Sequence, residues 1–107
     1  MPQTRREKIE AMLADEPGDV FLRYSLALEL EKEGLHEQSL ERLESLMHEP
    51  QPYVPAFFMA AQQLAGRAKT AAAREVLRDG IEQARSAGDA HAAGEMAEFL
   101  ASLGSEL

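Results

Sequence analysis

The sequence predicts an all-α fold of about six short helices, and three observations predict it. Apolar residues recur at spacings of three and four, not two, which is the period of a helix with one buried face. Ala, Leu, Glu and Gln dominate while β-branched residues are rare, a composition that favours helix over strand. Breaks built on Gly or Pro punctuate the chain at EPGD (16–19), EKEGL (31–35), HEPQP (48–52), GRAK (66–69) and SAGD (86–89).

The first helix is expected from Arg5 to Ala14. Thr4 can cap it and Glu7 can complete a capping box, with Ile9, Met12 and Leu13 as its apolar stripe. The second runs from about Val20 to Glu33 behind the N-cap Asp19. Its apolar residues Phe21, Leu22, Tyr24, Leu26, Ala27, Leu28 and Leu30 cover more than half the circumference, so it packs on two sides. Gly34 suits the left-handed position that ends it.

The third helix, His36 to His48, buries Leu40, Leu43, Leu46 and Met47, and Pro50 and Pro52 stop it. The fourth, Val54 to about Gly66, carries Pro55 in its first turn, where a missing N–H costs nothing. The fifth covers Thr70 to Arg85, with Ala73, Val76, Leu77, Gly80, Ile81 and Ala84 inward. The sixth covers about Ala90 to Leu103, capped by Asp89, with Ala92, Met96, Phe99, Leu100 and Leu103 as its stripe.

A length of 107 residues fits one domain, taken as 1–107, with two apolar layers and little room for an enclosed active site. The absence of cysteine excludes disulfides, thiolate metal sites and Cys nucleophiles. No apolar run is long enough to span a bilayer, and MPQTRREKIEAML lacks the apolar core of a secretory signal, so a cytoplasmic protein with no membrane insertion is expected. The net charge of −8 is concentrated between Glu29 and Glu49, which hold seven acids and two bases. Such a surface repels phosphate backbones, so nucleic acid is not an expected partner.

A period of 34 links the middle of the chain to itself. It takes Tyr24, Ala27, Leu30 and Ser39 to Phe58, Ala61, Leu64 and Ala73, and Leu43, Leu46 and Met47 to Leu77, Gly80 and Ile81. Stepping back puts Leu43, Leu46 and Met47 on Ile9, Met12 and Leu13. The last helix repeats the spacing of Phe57, Ala61 and Leu64 in Ala92, Met96 and Phe99, 35 residues on. The fifth helix or its following turn is therefore expected to be one residue longer.

A helix-turn-helix unit of this period resembles the tetratricopeptide repeat. The family's small residues, where paired helices cross closely, match Ala27 and Ser39 in one unit and Ala61 and Ala73 in the next. Its inter-helix glycine matches Gly34, and a large residue of the second helix matches Leu43 and Leu77. Pro17 takes the place of the late-repeat proline ahead of the first unit, and Pro50 and Pro52 flank its expected place after it. The chain departs from the pattern at Arg23, where the family often has tryptophan and the second unit has Phe57, and at Ala68 and Leu46. The resemblance implies a short right-handed superhelical stack of antiparallel helix pairs. A half-repeat helix (4–14) precedes repeats 18–51 and 52–85, and a capping helix (89–103) follows.

No residue pattern points to catalysis or a cofactor. His36, His48 and His91 lack the spacing of metal ligands, and the carboxylates of Glu29, Glu33 and Glu37 read as a solvated face. The chain is therefore expected to be no enzyme, with no metal or cofactor. The resemblance places a binding surface on the first helix of each pair, at Phe21, Tyr24, Leu28, Glu31 and Lys32 and at Pro55, Phe58, Gln62, Ala65 and Gly66. Some family members clamp a peptide carboxylate with lysines and asparagines at such sites, and Tyr24, Leu28, Phe58 and Gln62 supply no such clamp. What they offer is an apolar, aromatic groove whose candidate contacts are Phe21, Tyr24, Leu28, Phe58 and Gln62. Aromatic anchors of this kind dominate many interfaces. Three uses stay open: a protein or peptide partner, a homo-oligomer or structural subunit joined through helix faces such as Met12 and Leu13 or Leu100 and Leu103, and a groove covered by the terminal helices.

Overall fold

A computed structural model describes residues 3–104. Six helices follow one another: α1 (Arg5–Asp15), α2 (Val20–Lys32), α3 (His36–Met47), α4 (Val54–Gly66), α5 (Thr70–Ser86) and α6 (Ala90–Ser102). Each packs on its neighbours in the chain, and α4 also touches α6. The molecule measures 53 × 30 × 19 Å. The shortest dimension is about two helix diameters, so the helices form two layers.

The helix ends follow from local chemistry. At α1 the Glu7 N–H donates to Thr4 Oγ1 (3.1 Å) and the Thr4 N–H donates to Glu7 Oε1 (2.9 Å), closing a capping box. Asp19 Oδ1 accepts from the Leu22 N–H at α2 and Asp89 Oδ1 from the Ala92 N–H at α6. The turns α2–α3, α4–α5 and α5–α6 share one closure. In it the N–H of Leu35, Lys69 or Asp89 reaches back to the carbonyl of Leu30, Leu64 or Ala84, the long bond of a Schellman motif. That motif needs a left-handed residue, supplied by Gly34 (φ 81°), Ala68 (φ 61°) and Gly88 (φ 75°).

Helix starts recur at the expected interval. Val20 and Val54 are 34 residues apart, as are His36 and Thr70. α6 begins 36 residues after α4, one more than the apolar spacing implies. The reason lies in the breaks. Pro50 and Pro52 follow α3, which has 12 residues and a long connection to α4, whereas α5 meets no proline and runs for 17 residues before the tight turn at Gly88. α5 is thus longer than expected, and its following turn is shorter than the loop after α3.

Three apolar clusters line up along the stack. Ile9 of α1 meets Leu26 and Leu30 of α2, with Leu13 and Leu35 alongside. Ala27 of α2 meets Leu43 and Leu46 of α3 and Ala56 and Ala60 of α4. Phe57, Ala61 and Leu64 of α4 join Ala73, Leu77, Ile81 and Ala84 of α5 and Ala93 and Met96 of α6. α2 and α4 each serve two clusters, which is why α2 is apolar over so much of its surface and why α4 is rich in alanine. Met12, expected in the stripe of α1, is 48% exposed. Among the described residues the main contact of α1 is with α2, and Ile9 and Leu13 fill it.

Glu29 and Glu33 are not the free solvated face that their spacing suggests. Glu29 pairs with Arg5 and with Lys32, both at 3.2 Å, and Glu33 faces Arg6 at 3.1 Å, so α1 is tied to α2 by charge as well as by Ile9. Ser39 is fully buried and donates from Oγ to the Ala27 carbonyl (2.7 Å), while the buried Gln63 side chain donates from Nε2 to Ser39 Oγ (3.0 Å). The Arg74 side chain is buried against the end of α6. Its guanidinium donates to the carbonyls of Leu103 (3.0 Å) and Gly104 (2.6 Å), satisfying acceptors that the helix leaves open. Among the described residues no helix is long and apolar enough to cross a membrane.

Candidate functional site

Tyr24 and Phe58 occupy matching places in α2 and α4, and α6 crosses beside them. The three elements enclose a cleft of about 260 Å³. Tyr24 enters from α2; Val54, Pro55, Phe58, Met59 and Gln62 from α4; and Asp89, Ala92, Glu95 and Met96 from α6 and its cap. Pro55 sits in the first turn of α4, fixing the backbone at the mouth.

The aromatic side chains are held from behind. The Tyr24 ring meets Tyr53 edge-on at 5.4 Å between centroids, and Phe58 meets Phe99 of α6 in a tilted pair at 5.7 Å. Such pairs fix ring orientation. Burial, with a smaller contribution from Tyr53, pushes the Tyr24 phenol above its ordinary pKa. Tyr24 thus stays a neutral hydrogen-bonding group at physiological pH. Within the described residues neither its hydroxyl nor the Gln62 carboxamide makes a hydrogen bond, so both can serve a ligand.

The acidic side of the cleft comes from α6. One oxygen of Asp89 accepts the capping bond from Ala92, and the other faces no donor among the described residues. Glu95 lies 3.4 Å from the exposed His91 ring. An exposed pair of this kind holds weakly and yields to a better cation. No Lys or Arg is among the residues that line the cleft.

Of the five candidates read from the sequence, Tyr24, Phe58 and Gln62 meet in this cleft, while Phe21 and Leu28 are not among its lining. Phe21 is 63% exposed near the start of α2, and Leu28 is half-buried further along the same helix. The residues that α6 contributes are not among those candidates, although a groove covered by the terminal helices is one of the uses the sequence leaves open. Asp89 reads as a helix cap and Met96 as a stripe residue, and both are so; the crossing that also brings them to Phe58 is not encoded in either local pattern. Glu31, counted with the concave positions, is instead engaged. Arg67 Nη2 lies 2.9 Å from both of its carboxylate oxygens, and His36 Nδ1 lies 2.8 Å from Oε1. Burial alone would raise the Glu31 pKa; the hydrogen bonds from His36 and Arg67 outweigh it and hold the carboxyl below the ordinary range.

No protein-family model and no curated protein matches the chain. A solved structure does. The solution structure of a structural genomics target from Bordetella parapertussis superposes with a TM-score of 0.78 at 29% identity, covering 95% of this chain and 89% of that one. The likeness extends over nearly the whole six-helix arrangement.

Proposed function

We propose that the chain is a cytoplasmic, non-enzymatic protein-interaction module. On this reading it is built of tetratricopeptide-type helix pairs and holds a peptide segment in the cleft between α2, α4 and α6. The observation that carries the reading is the convergence of Tyr24, Phe58 and Gln62 on one small cleft with free hydrogen-bonding groups over an aromatic floor. Its volume is below the roughly 300–1,000 Å³ usual for small-molecule sites, and suits one or two side chains of a partner. The 34-residue recurrence of helix starts, with small residues at Ala27, Ser39, Ala61 and Ala73, supports the repeat reading.

The test compares affinity capture by the wild type and by Tyr24→Ser/Phe58→Ser, after circular dichroism has shown the double variant to be helical. Partners retained by the wild type alone are expected, with amide chemical-shift changes on α4 and α6 when a captured segment is added back. Equal recovery by both proteins removes the reading.

A second reading has its own observation. Among the described residues Met12, Val20 and Phe21 are the exposed large apolar ones, and they lie where α1 ends and α2 begins. A chain assembling through this end, as a homo-oligomer or a structural subunit, would cover them. Mass measurement over a concentration series separates the homo-oligomer, since Phe21→Ser would leave a monomer at all concentrations.

A further inference from the structure

We infer that the cleft between α2, α4 and α6 takes a cationic amphipathic peptide. In this mode one large apolar side chain is seated on Tyr24, Phe58 and Met59, with a flanking lysine or arginine directed at Asp89 and Glu95. This inference rests on the peptide-binding reading above and adds the chemistry of the partner.

Three features of the cleft select that chemistry. Its floor is apolar and aromatic, and two of its lining residues are carboxylates with no Lys or Arg among the rest. A bound anion, or an acidic peptide, would meet Asp89 and Glu95 with no compensating charge. Neither carboxylate is saturated. Among the described residues Asp89 uses one oxygen to cap α6, and Glu95 has only the weak contact to His91, a side chain that is 86% exposed. A lysine or arginine displacing that histidine would form a charge-assisted hydrogen bond, stronger than a neutral one. Finally, the Gln62 carboxamide offers both donor and acceptor beside the floor, which matches the alternating groups of an extended peptide backbone.

The whole chain favours the same partner over a second copy of itself. At a net charge of −8, two copies repel, while a cationic segment is drawn in and its association is accelerated. Charge therefore steers the approach, and the apolar seat and Gln62 fix the register.

The experiment is a selection of short random peptides on phage against the full chain, run in parallel against Phe58→Ser and Glu95→Lys. Sequences enriched on the wild type are expected to pair an aromatic or large aliphatic residue with a nearby lysine or arginine. Synthetic copies should bind Glu95→Lys about tenfold more weakly, or about 1.4 kcal/mol, and should lose affinity as sodium chloride is raised. Glu95 is half-exposed and outside every apolar cluster, so its variant tests charge without testing folding. Peptides that depend on Phe58 but carry no basic residue would overturn the cationic inference and leave the peptide-binding reading standing. No enrichment over Phe58→Ser would overturn both. A wild-type dimer that dissociates in Glu95→Lys would also overturn the inference, by making the second copy the occupant.

Discussion

The α2–α3 and α4–α5 pairs trace the same path but fill it with different atoms. In the first, Leu46 packs with Ala56 and Ala60, and Arg23 turns to the rim, where it pairs with Glu49 and donates to Ser45 Oγ (2.9 Å). In the second, the matching places hold Gly80 and Phe57. A Cβ built on Gly80 would come within 2.6 Å of Phe57 Cβ and 2.7 Å of Met96 Sδ, so α5 needs glycine where Phe57 and Met96 fill the space. Counted from the helix starts, Met96 stands in α6 where Ala60 stands in α4. Large meets small in both pairs, with the sizes exchanged. The repeat conserves a filled volume, and no single residue at these places.

This exchange is open to a double-mutant cycle, which carries the largest expected effect. Gly80→Leu should cost about 3 kcal/mol by overpacking, and Phe57→Ala about 3–5 kcal/mol by leaving a cavity. Together they should cost clearly less than their sum, because each relieves the other. Urea unfolding reads all four corners, and strict additivity would show that the two positions do not share the space.

Next in size is the polar link between Ser39 of α3 and Gln63 of α4. Ser39 and Gln63 are hydrogen-bonded and buried, whereas the counterpart of Ser39 is Ala73. Ser39→Ala should cost about 1–3 kcal/mol by leaving the Gln63 amide and Ala27 carbonyl short of partners. Adding Gln63→Leu, which makes this crossing as apolar as the second, should recover most of that loss. If the double variant were no better than Ser39→Ala, the cost would lie in packing and not in hydrogen bonds.

The Glu31 link from α2 to Arg67 gives a smaller effect, with a sign. Because the folded-state pKa is lowered, ionised Glu31 stabilises the fold above the unfolded carboxylate pKa, about 4.3. That contribution is lost as pH falls through the lowered value. Glu31→Gln should cost about 0.5 kcal/mol at neutral pH. The gap between variant and wild type should close at the acid end of the stability profile; a constant gap would deny the ionic origin. Smallest is Ala68→Gly. Ala68 holds a left-handed conformation that Gly34 adopts freely in the first pair. Relief of that strain, offset by the greater flexibility of glycine when unfolded, should raise stability by about 0.5 kcal/mol in a thermal melt.

The same comparison shows what could be read from sequence. Helix limits were legible to within a residue or so because Thr4, Asp19, Gly34, Pro55 and Asp89 act on their own backbone, and local chemistry is written in local order. Two-sided packing of α2 was legible because its apolar arc is too wide for one neighbour. Tyr24, Phe58 and Gln62 share a cleft because a fixed period puts equal faces side by side. Side chains whose role depends on a third helix were not legible. Arg74 and Gln63 carry no signal in the sequence, since nothing beside them in the chain announces the carbonyls or hydroxyl that receive them. Glu95 lies four residues from His91 on the same helix, and nothing in that local spacing announces that it lines a cleft with Phe58. Met12 failed for the reverse reason, since its spacing implied a neighbour that α1 does not have among the described residues.

The contacts that build the stack are mainly between helices adjacent in the chain, with fewer between α4 and α6. A protein assembled this way has no single knot whose loss unfolds everything, and order can be lost from an end. α1 contributes one buried residue, Ile9, and leans on one flank of α2, while α4 is gripped on both sides. Amide exchange would accordingly be fastest in α1 and slowest in α4. The cleft has its floor on that most protected helix, so a partner would meet a seat that is already rigid and spend little of its binding energy on ordering it.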